Sequence, residues 1–174
     1  SFSFLIARCM GLASPEVEIL ANASLLHDIG KVGLPEAVNF KSGDLSPYEW
    51  EMMKRHTTIG ASILKGSPSV VLQAAEIIAL THHERWDGSG YPNGLKGEEI
   101  PLSGRICALA DVFDALTTRR TYKAEVPVEE AIKMVADSGG LLFDPQVVNV
   151  FLEHQLDILR IRSANLSRPL LEMQ

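Results

Sequence analysis

The sequence ICALADVFDAL, residues 106–116, has the length and apolar content of a buried helix but carries two aspartates, Asp111 and Asp114. A buried carboxylate without a partner is rare, because removing a charge from water is costly unless something compensates it. The stretch therefore predicts a core helix with Asp111 against a compensating partner. Asp114, one turn later, suits either a contact to a ligand or substrate or a solvated face.

Two more apolar stretches carry ionisable residues at their ends. ANASLLHDI, residues 21–29, contains His27-Asp28, and AAEIIAL, residues 74–80, is followed by His82-His83. Divalent first-row metals take carboxylates and neutral imidazoles together, so one metal site would compensate all three stretches. Adjacent residues of a helix diverge by about 100°, which suits a carboxylate that bridges two metals beside an imidazole that serves one. Lys31, three residues after Asp28, adds a cation suited to phosphate.

Taken singly, these residues have plainer interpretations. His27-Asp28 could be a capped helix end with a solvated carboxylate, His82-His83 a surface pair, and His56 an exposed helix residue. His154 has no carboxylate nearby in the sequence and is interpreted as an ordinary structural histidine. Because the other four histidines lie in motif-like contexts, the metal interpretation is favoured.

Helix start signals divide the rest of the chain. A Ser or Asp before Pro is typical of a helix start, and Glu three residues after Ser46 completes a capping box. No β-alternation of useful length intervenes, so the sequence predicts an all-α fold of about seven helices. The start signals lie at Ser14-Pro15, Ser46-Pro47, Ser67-Pro68, Pro101, Pro127 and Asp144-Pro145.

The beginning of the chain is apolar at helical spacing, at Phe2, Leu5, Ile6 and Cys9, with no start signal before it. It predicts a first helix that begins upstream, in a part of the natural protein that this chain lacks. With 174 residues, 46% of them apolar, the chain suffices for one compact domain. We assign that domain to residues 1–160 and a C-terminal tail to residues 161–174.

Charge and composition exclude several classes of protein. The chain has 16 Lys and Arg against 22 Asp and Glu, a formal charge of -6, which argues against a nucleic-acid polymer as partner. No apolar run approaches the roughly 20 residues that span a bilayer, so no membrane segment is predicted. The two cysteines, Cys9 and Cys107, form no CxxC pair and indicate a reducing, cytoplasmic location.

A segment of different composition, ERWDGSGYPNG at residues 84–94, follows His83. Glycine supplies positive φ and proline fixes its own φ, so the segment predicts a shaped loop. Loops of this length in a compact helical domain are usually functional or disordered. The position directly after two histidines favours a functional loop.

Four segments together resemble the HD-GYP family, a branch of the HD metal-dependent phosphohydrolases. The similarity extends from about Ile6 to Leu152, and the HHE…GYP string is its most specific part. One departure is Arg120-Thr121-Tyr122-Lys123, where the family usually has Arg-Pro-Tyr-Lys. The four segments are HDIGK at residues 27–31, MKRH at 53–56, HHERWDGSGYP at 82–92 and ADVFDAL at 110–116.

The resemblance implies an HD-type helical bundle with a Gly-rich GYP loop and a binuclear iron or manganese centre. It implies hydrolysis of the bacterial second messenger cyclic di-GMP to linear pGpG, and leaves open whether a second cut yields GMP. Asp28 would bridge the metals and act in catalysis with Lys31, which would hold the phosphate. The implied metal ligands are His27, Asp28, His56, His82, His83 and Asp111. The implied substrate-binding residues are Lys31, Tyr91, Asp114, Arg120 and Lys123.

The resemblance also bears on what surrounds this chain. Family members often carry an upstream Glu and His that hold a third metal; by alignment these would fall before Ser1, so this chain cannot supply them. An upstream regulatory or sensory domain is expected in the full-length protein, and the loop at residues 88–94 could dock a protein partner.

Two other functions remain open. One is a module that binds a cyclic dinucleotide or docks a partner without turnover, which the intact ligand set disfavours. The other is a different HD hydrolase acting on nucleotides or alarmones, which the Gly90-Tyr91-Pro92 sequence disfavours.

Overall fold

Helices make up most of the chain in this computed structural model, which describes residues 1–118 and 126–166, with side chains up to residue 163. Within these ranges the only β pairing is an isolated bridge between Gly139 and Phe143, so the predicted all-α fold is confirmed. Two short 3₁₀ turns lie at Ile29–Gly33 and Gly97–Glu99. The α-helices are α1 (Phe2–Cys9), α2 (Ser14–Ser24), α3 (Glu36–Asn39), α4 (Pro47–Lys54), α5 (His56–Leu64), α6 (Val70–Thr81), α7 (Leu102–Thr117), α8 (Val128–Asp137), α9 (Pro145–Glu153) and α10 (Gln155–Leu166).

Helix α7, which contains the 106–116 stretch, lies at the centre of the bundle. Ile106, Leu109 and Phe113 are fully buried on it. The Phe113 ring meets Phe2 of α1 edge-on with centroids 5.2 Å apart, and Phe151 of α9 at 4.9 Å. Such edge-to-face pairs combine large apolar burial with a defined geometry. Packing from both sides therefore fixes the position of α7, and with it Asp111.

Several helix starts are where the sequence predicts them, because the signal is local. Ser46 caps α4 through a capping box in which its Oγ accepts from the Glu49 amide and Glu49 Oε2 accepts from the Ser46 amide. Asp144 caps α9 by accepting from the Gln146 amide at 2.8 Å. The start predicted at Ser67-Pro68 is two residues early, since Ser69 is the N-cap of α6.

The number and bounds of the helices differ from the prediction of about seven. The predicted helix through Ile29 ends at Ser24, so His27 and Asp28 lie in turns and not on a helix. The helix that begins at Ser46 is interrupted at Arg55 and resumes as α5 at His56. The last predicted helix is interrupted at His154, and the short α3 was not predicted.

Helix α1 begins at Phe2 in this chain, and its continuation upstream stays a prediction. Ser1 Oγ accepts a hydrogen bond from the Phe4 amide at 3.3 Å, the geometry of an N-cap. Phe2 and Leu5 are already buried in the core. No helix in residues 1–118 and 126–166 is long and apolar enough to cross a bilayer.

Candidate metal centre

One carboxylate and three imidazoles converge where the first 3₁₀ turn, α5 and α6 meet. Asp28, His56, His82 and His83 each offer a ligand atom, and these four atoms lie within 4.8 Å of one another. Asp28 precedes the turn Ile29–Gly33, His56 opens α5, and His82 is the C-cap of α6. Residues distant in sequence thus form one cluster, as the metal interpretation predicts.

Close backbone approach brings Asp28 to the histidines. A Cβ at Gly30 would collide with the carbonyl oxygen of His56 and would lie 2.5 Å from the Gly60 nitrogen. Only glycine lets the turn approach α5 this closely. The turn that carries Asp28 is therefore fixed against the first residue of α5.

Each of three histidines is oriented by a hydrogen bond from its Nδ1 to a backbone carbonyl. Nδ1 of His27 donates to the Ser24 carbonyl at 2.7 Å, and Nδ1 of His56 donates to the Met53 carbonyl at 2.7 Å. Nδ1 of His82 donates to the Ile78 carbonyl at 3.0 Å. Nδ1 therefore carries a proton in each of the three rings, so the Nε2 lone pair is available wherever the imidazole is neutral, and metal-binding histidines are typically held in this way.

The two oxygens of Asp28 face different partners. Oδ1 lies 3.4 Å from Nε2 of His56 and 3.9 Å from Nε2 of His82, whereas Oδ2 lies 3.4 Å from Nε2 of His27. Oδ1 is buried and has no hydrogen-bond partner. A buried carboxylate oxygen facing imidazole nitrogens is costly, and a divalent cation between them would satisfy both. The donor set therefore fits a metal ion.

His27 and Asp111 form a second group that shares Asp28 with the first. Nε2 of His27 lies 3.5 Å from Asp111 Oδ1 on α7. These two residues are outside the four-residue cluster. His27 adjoins it through Asp28 and through an edge-on contact with the His82 ring, with centroids 5.1 Å apart. The carboxylate of Asp28 consequently lies between two sets of ligand-type residues.

Burial keeps the histidines of the first group neutral. Burial, reinforced by neighbouring imidazoles, lowers the pKa of His82 to about 3 and that of His83 to about 4. Burial also lowers the pKa of His56. Metals bind the neutral imidazole, so this side of the site holds its histidines in the ligating form.

The pKa of His27, in contrast, is raised. Burial lowers its pKa, but hydrogen bonds with Asp111 and Asp28 outweigh burial and raise the pKa to about 10. For Asp28, burial raises the pKa, while His27 and Lys31 lower it more and hold it far below its usual range. The protonated His27 thus lies between two carboxylates, and a metal ion that bound there would displace its proton.

Tyr91 brings the Gly-rich loop to the cluster. Its ring stacks on His83 with centroids 4.8 Å apart and planes at 26°. Gly88 and Gly94 have positive φ, 86° and 66°, as the predicted shaped loop requires. Tyr91 therefore lies against the cluster, and its contact with a substrate stays a prediction.

Glu84 anchors this loop, a role that the sequence did not reveal. Its buried carboxylate accepts from the amides of Asn93 at 2.7 Å and Leu95 at 3.0 Å. A Cβ at Gly90 would lie 2.5 Å from Glu84 Cα, so the loop folds tightly over it. A signal for this role is present in the sequence. The amides of a long loop need a hydrogen-bond acceptor, and Glu84 places a carboxylate at the first position of this loop.

Arg105 is a second anchor that the sequence did not reveal. Its guanidinium pairs with the fully buried carboxylate of Asp144 at 2.6 Å, and Nε donates to the Ile100 carbonyl. The same guanidinium lies 5.8 Å from the Trp86 ring centroid. The start of the loop is thereby attached to α7 and α9.

The other predicted site residues lie around the cluster or outside the described residues. Asp114 is exposed and lines a cavity of about 210 Å³ together with His27 and Asp111. The surface interpretations of His56 and His82 are wrong, since they are 1% and 3% exposed. Arg120 and Lys123 lie outside the described residues.

Comparison with known proteins shows the family. The profile of the HD domain family matches residues 3–147. A protein of Thermotoga maritima named cyclic di-GMP phosphodiesterase is 52% identical over 153 residues, which are 88% of this chain and 42% of that protein. The 3'3'-cGAMP-specific phosphodiesterase 2 of Vibrio cholerae is 45% identical over 159 residues, 91% of this chain and 30% of that protein.

A solved structure shows the same fold. The HDG"Y"P protein of Bdellovibrio bacteriovorus superimposes with a TM-score of 0.67 at 24% identity, over 91% of this chain and 49% of that one. This chain thus spans less than half the length of each of these three proteins. The HHE…GYP segment places two histidines in the cluster and Tyr91 against them. Together with the profile match, this segment shows that the chain belongs to the HD domain family, among its HD-GYP members.

Proposed function

We propose that this chain is a metal-dependent phosphodiesterase that hydrolyses cyclic di-GMP to linear pGpG and, by a second cut, to GMP. The observation that carries the proposal is Asp28 Oδ1, buried without a hydrogen-bond partner and facing the ring nitrogens of His56 and His82. The name of the Thermotoga maritima relative supports this substrate. The name of the Vibrio cholerae relative favours 3'3'-cGAMP as a second candidate substrate.

The proposed cofactor is a binuclear iron or manganese centre. Asp28 would bridge it, since its two oxygens face different histidines. When bound, such a centre supplies a Lewis acid and a water molecule acidic enough to act as a nucleophile at neutral pH. The residues that would hold it are His27, Asp28, His56, His82, His83 and Asp111.

Lys31 and Tyr91 would act on the substrate directly. The Lys31 ammonium, 39% exposed beside Asp28, would stabilise the negative charge that grows on the non-bridging phosphate oxygens. Tyr91 would orient the substrate against His83, and the ribose 3'-oxygen would leave. Asp114, Arg120 and Lys123 are proposed as further substrate contacts.

The wider setting is also a proposal. We infer a domain of residues 1–160 with a tail of 161–174, a cytoplasmic location, an upstream regulatory domain and a docking role for the loop at residues 88–94. The two unpaired cysteines support the reducing location.

The decisive experiment is turnover by metal-loaded protein. Protein is freed of metal and reloaded with Fe²⁺ or Mn²⁺ in the absence of oxygen. It is expected to convert cyclic di-GMP to pGpG, and chromatography measures the conversion. His83→Ala should abolish conversion, and Lys133→Met, on the exposed side of α8, should not. Binding of cyclic di-GMP without conversion would identify a non-catalytic module, and conversion of 3'3'-cGAMP alone would overturn the proposed substrate.

A further inference from the structure

A pocket of about 270 Å³ opens beside Tyr91, apart from the proposed metal ligands. One wall consists of Tyr91 and Pro92 from the Gly-rich loop, and the other comes from α4 and the start of α5. We call it the α4 pocket. Because Tyr91 stacks on His83, a single aromatic ring separates the α4 pocket from the metal cluster. A cyclic dinucleotide with one phosphodiester at the cluster could therefore extend a nucleoside into it.

The α4 pocket contains a carboxylate paired with a lysine. Glu51 Oε1 pairs with Lys54 Nζ at 2.6 Å, and both residues line the pocket. Lys54 Nζ also lies 5.6 Å from the Tyr91 ring centroid. The carboxylate is thus held beside the aromatic wall while remaining 69% exposed to an incoming ligand.

The same pocket holds an unengaged guanidinium. Arg55 is exposed, and its guanidinium makes no hydrogen bond or ion pair with residues 1–118 or 126–163. A phosphate would suit Arg55 and Lys54 but would be repelled by Glu51. A neutral group with acceptors on one edge and donors on another would suit both charges.

Guanine has that pattern. Its O6 and N7 accept a bidentate pair of hydrogen bonds from arginine, the commonest specific contact to this base. Its N1–H and exocyclic amine can donate to the two oxygens of a carboxylate. Adenine presents an amine in place of O6 and has no N1–H, so it would match neither group.

We propose that the α4 pocket binds a guanine base of the substrate, with Arg55 at O6 and N7, Glu51 at N1–H and the exocyclic amine, and Tyr91 with Pro92 as the flat wall. The proposal rests on the proposed function in that a cyclic dinucleotide is the substrate. It makes Glu51 and Arg55 the residues that determine base specificity.

Binding of GMP and AMP by equilibrium dialysis tests the pocket independently of turnover. The unaltered protein should bind GMP more tightly than AMP. Arg55→Met and Glu51→Gln should each weaken GMP binding by about 5- to 150-fold, the discrimination given by one bidentate base contact, and leave AMP binding within twofold. Lys133→Met and Glu129→Gln, which make the same charge changes on α8, should alter neither affinity.

A second variant of Arg55 tests the same contact with a smaller change of structure. Arg55→Lys keeps the charge but loses the planar fork, so it should also lose the preference for GMP. Equal affinity of the unaltered protein for GMP and AMP, or equal weakening of both in the variants, would overturn the proposal.

Turnover separates this proposal from the proposed function. In the metal-loaded protein, Arg55→Met should lower kcat/KM for cyclic di-GMP and leave that for cyclic di-AMP nearly unchanged. If neither dinucleotide is hydrolysed but GMP is bound selectively, the proposed function fails and the guanine pocket stands. If cyclic di-GMP is hydrolysed and Arg55→Met changes neither preference nor GMP affinity, the pocket assignment fails and the function stands.

Discussion

Lys31 Nζ lies 2.5 Å from Asp28 Oδ2, at the point where the chain enters the first 3₁₀ turn. The other oxygen of Asp28 faces His56 and His82. One carboxylate therefore links the buried histidines to a partly exposed ammonium at the edge of the cluster. The link allows two roles for Lys31, contact with a substrate phosphate or support of Asp28, and these roles have different consequences.

Lys31→Met should keep the metal content and lower turnover of cyclic di-GMP by about 10²- to 10³-fold, the effect of losing one donor to a transition-state oxyanion. Metal analysis and kcat on the same preparation measure both quantities. Lys65→Met, on an exposed residue after α5, is the matched control. Loss of metal would assign Lys31 to the support of Asp28, and unchanged turnover would exclude it from catalysis.

Asp28→Ala should remove most of the bound metal, because both groups of ligand-type residues depend on this carboxylate. His56→Ala removes one terminal imidazole and should cost less metal. Metal content by elemental analysis after loading and desalting is the measurement. Asp87→Ala changes an exposed loop aspartate and serves as the control. Full metal content in the Asp28 variant would contradict the bridging role.

Glu84→Ala should lower the free energy of unfolding by about 3 kcal/mol, because two amides of the loop lose a charged acceptor. Glu84→Gln keeps one carbonyl acceptor and should lose about half as much. Urea unfolding measures both values, and Glu98→Ala, an exposed carboxylate nearby, should stay within about 0.5 kcal/mol. Equal stability of all three variants would show that the loop does not depend on Glu84.

The sequence predicts best what local chemistry determines. The starts of α4 and α9 follow from Ser46 and Asp144, whose side chains bond amides two or three residues away. The breaks after Ser24 and at Arg55 were missed, because they coincide with a tertiary contact, the approach of Gly30 to His56. Propensity carries no information about such an approach.

The same distinction applies to the site. The predicted ligand types do converge, since buried ionisable residues in apolar stretches need compensation wherever the fold places them. Arg105 was missed because its partner Asp144, 39 residues further along the chain, becomes a neighbour only in the folded chain. Glu84 was missed because only the folding of the loop brings the Asn93 and Leu95 amides onto its carboxylate. The ligand roles, the number of metals and the substrate contacts stay predictions.

Gly30→Ala tests whether the approach of the turn to α5 builds the cluster. The added Cβ would collide with the His56 carbonyl and with Gly60, which are backbone atoms that cannot rotate away. We expect a loss of about 1–3 kcal/mol in the free energy of unfolding, as for other overpacked positions. Since the strain pushes Asp28 away from His56, bound metal should fall as well. Gly43→Ala is the matched control, because nothing lies within 4 Å of a Cβ at that position. If Gly30→Ala matched Gly43→Ala in both urea midpoint and metal content, the close contact would not be what positions Asp28.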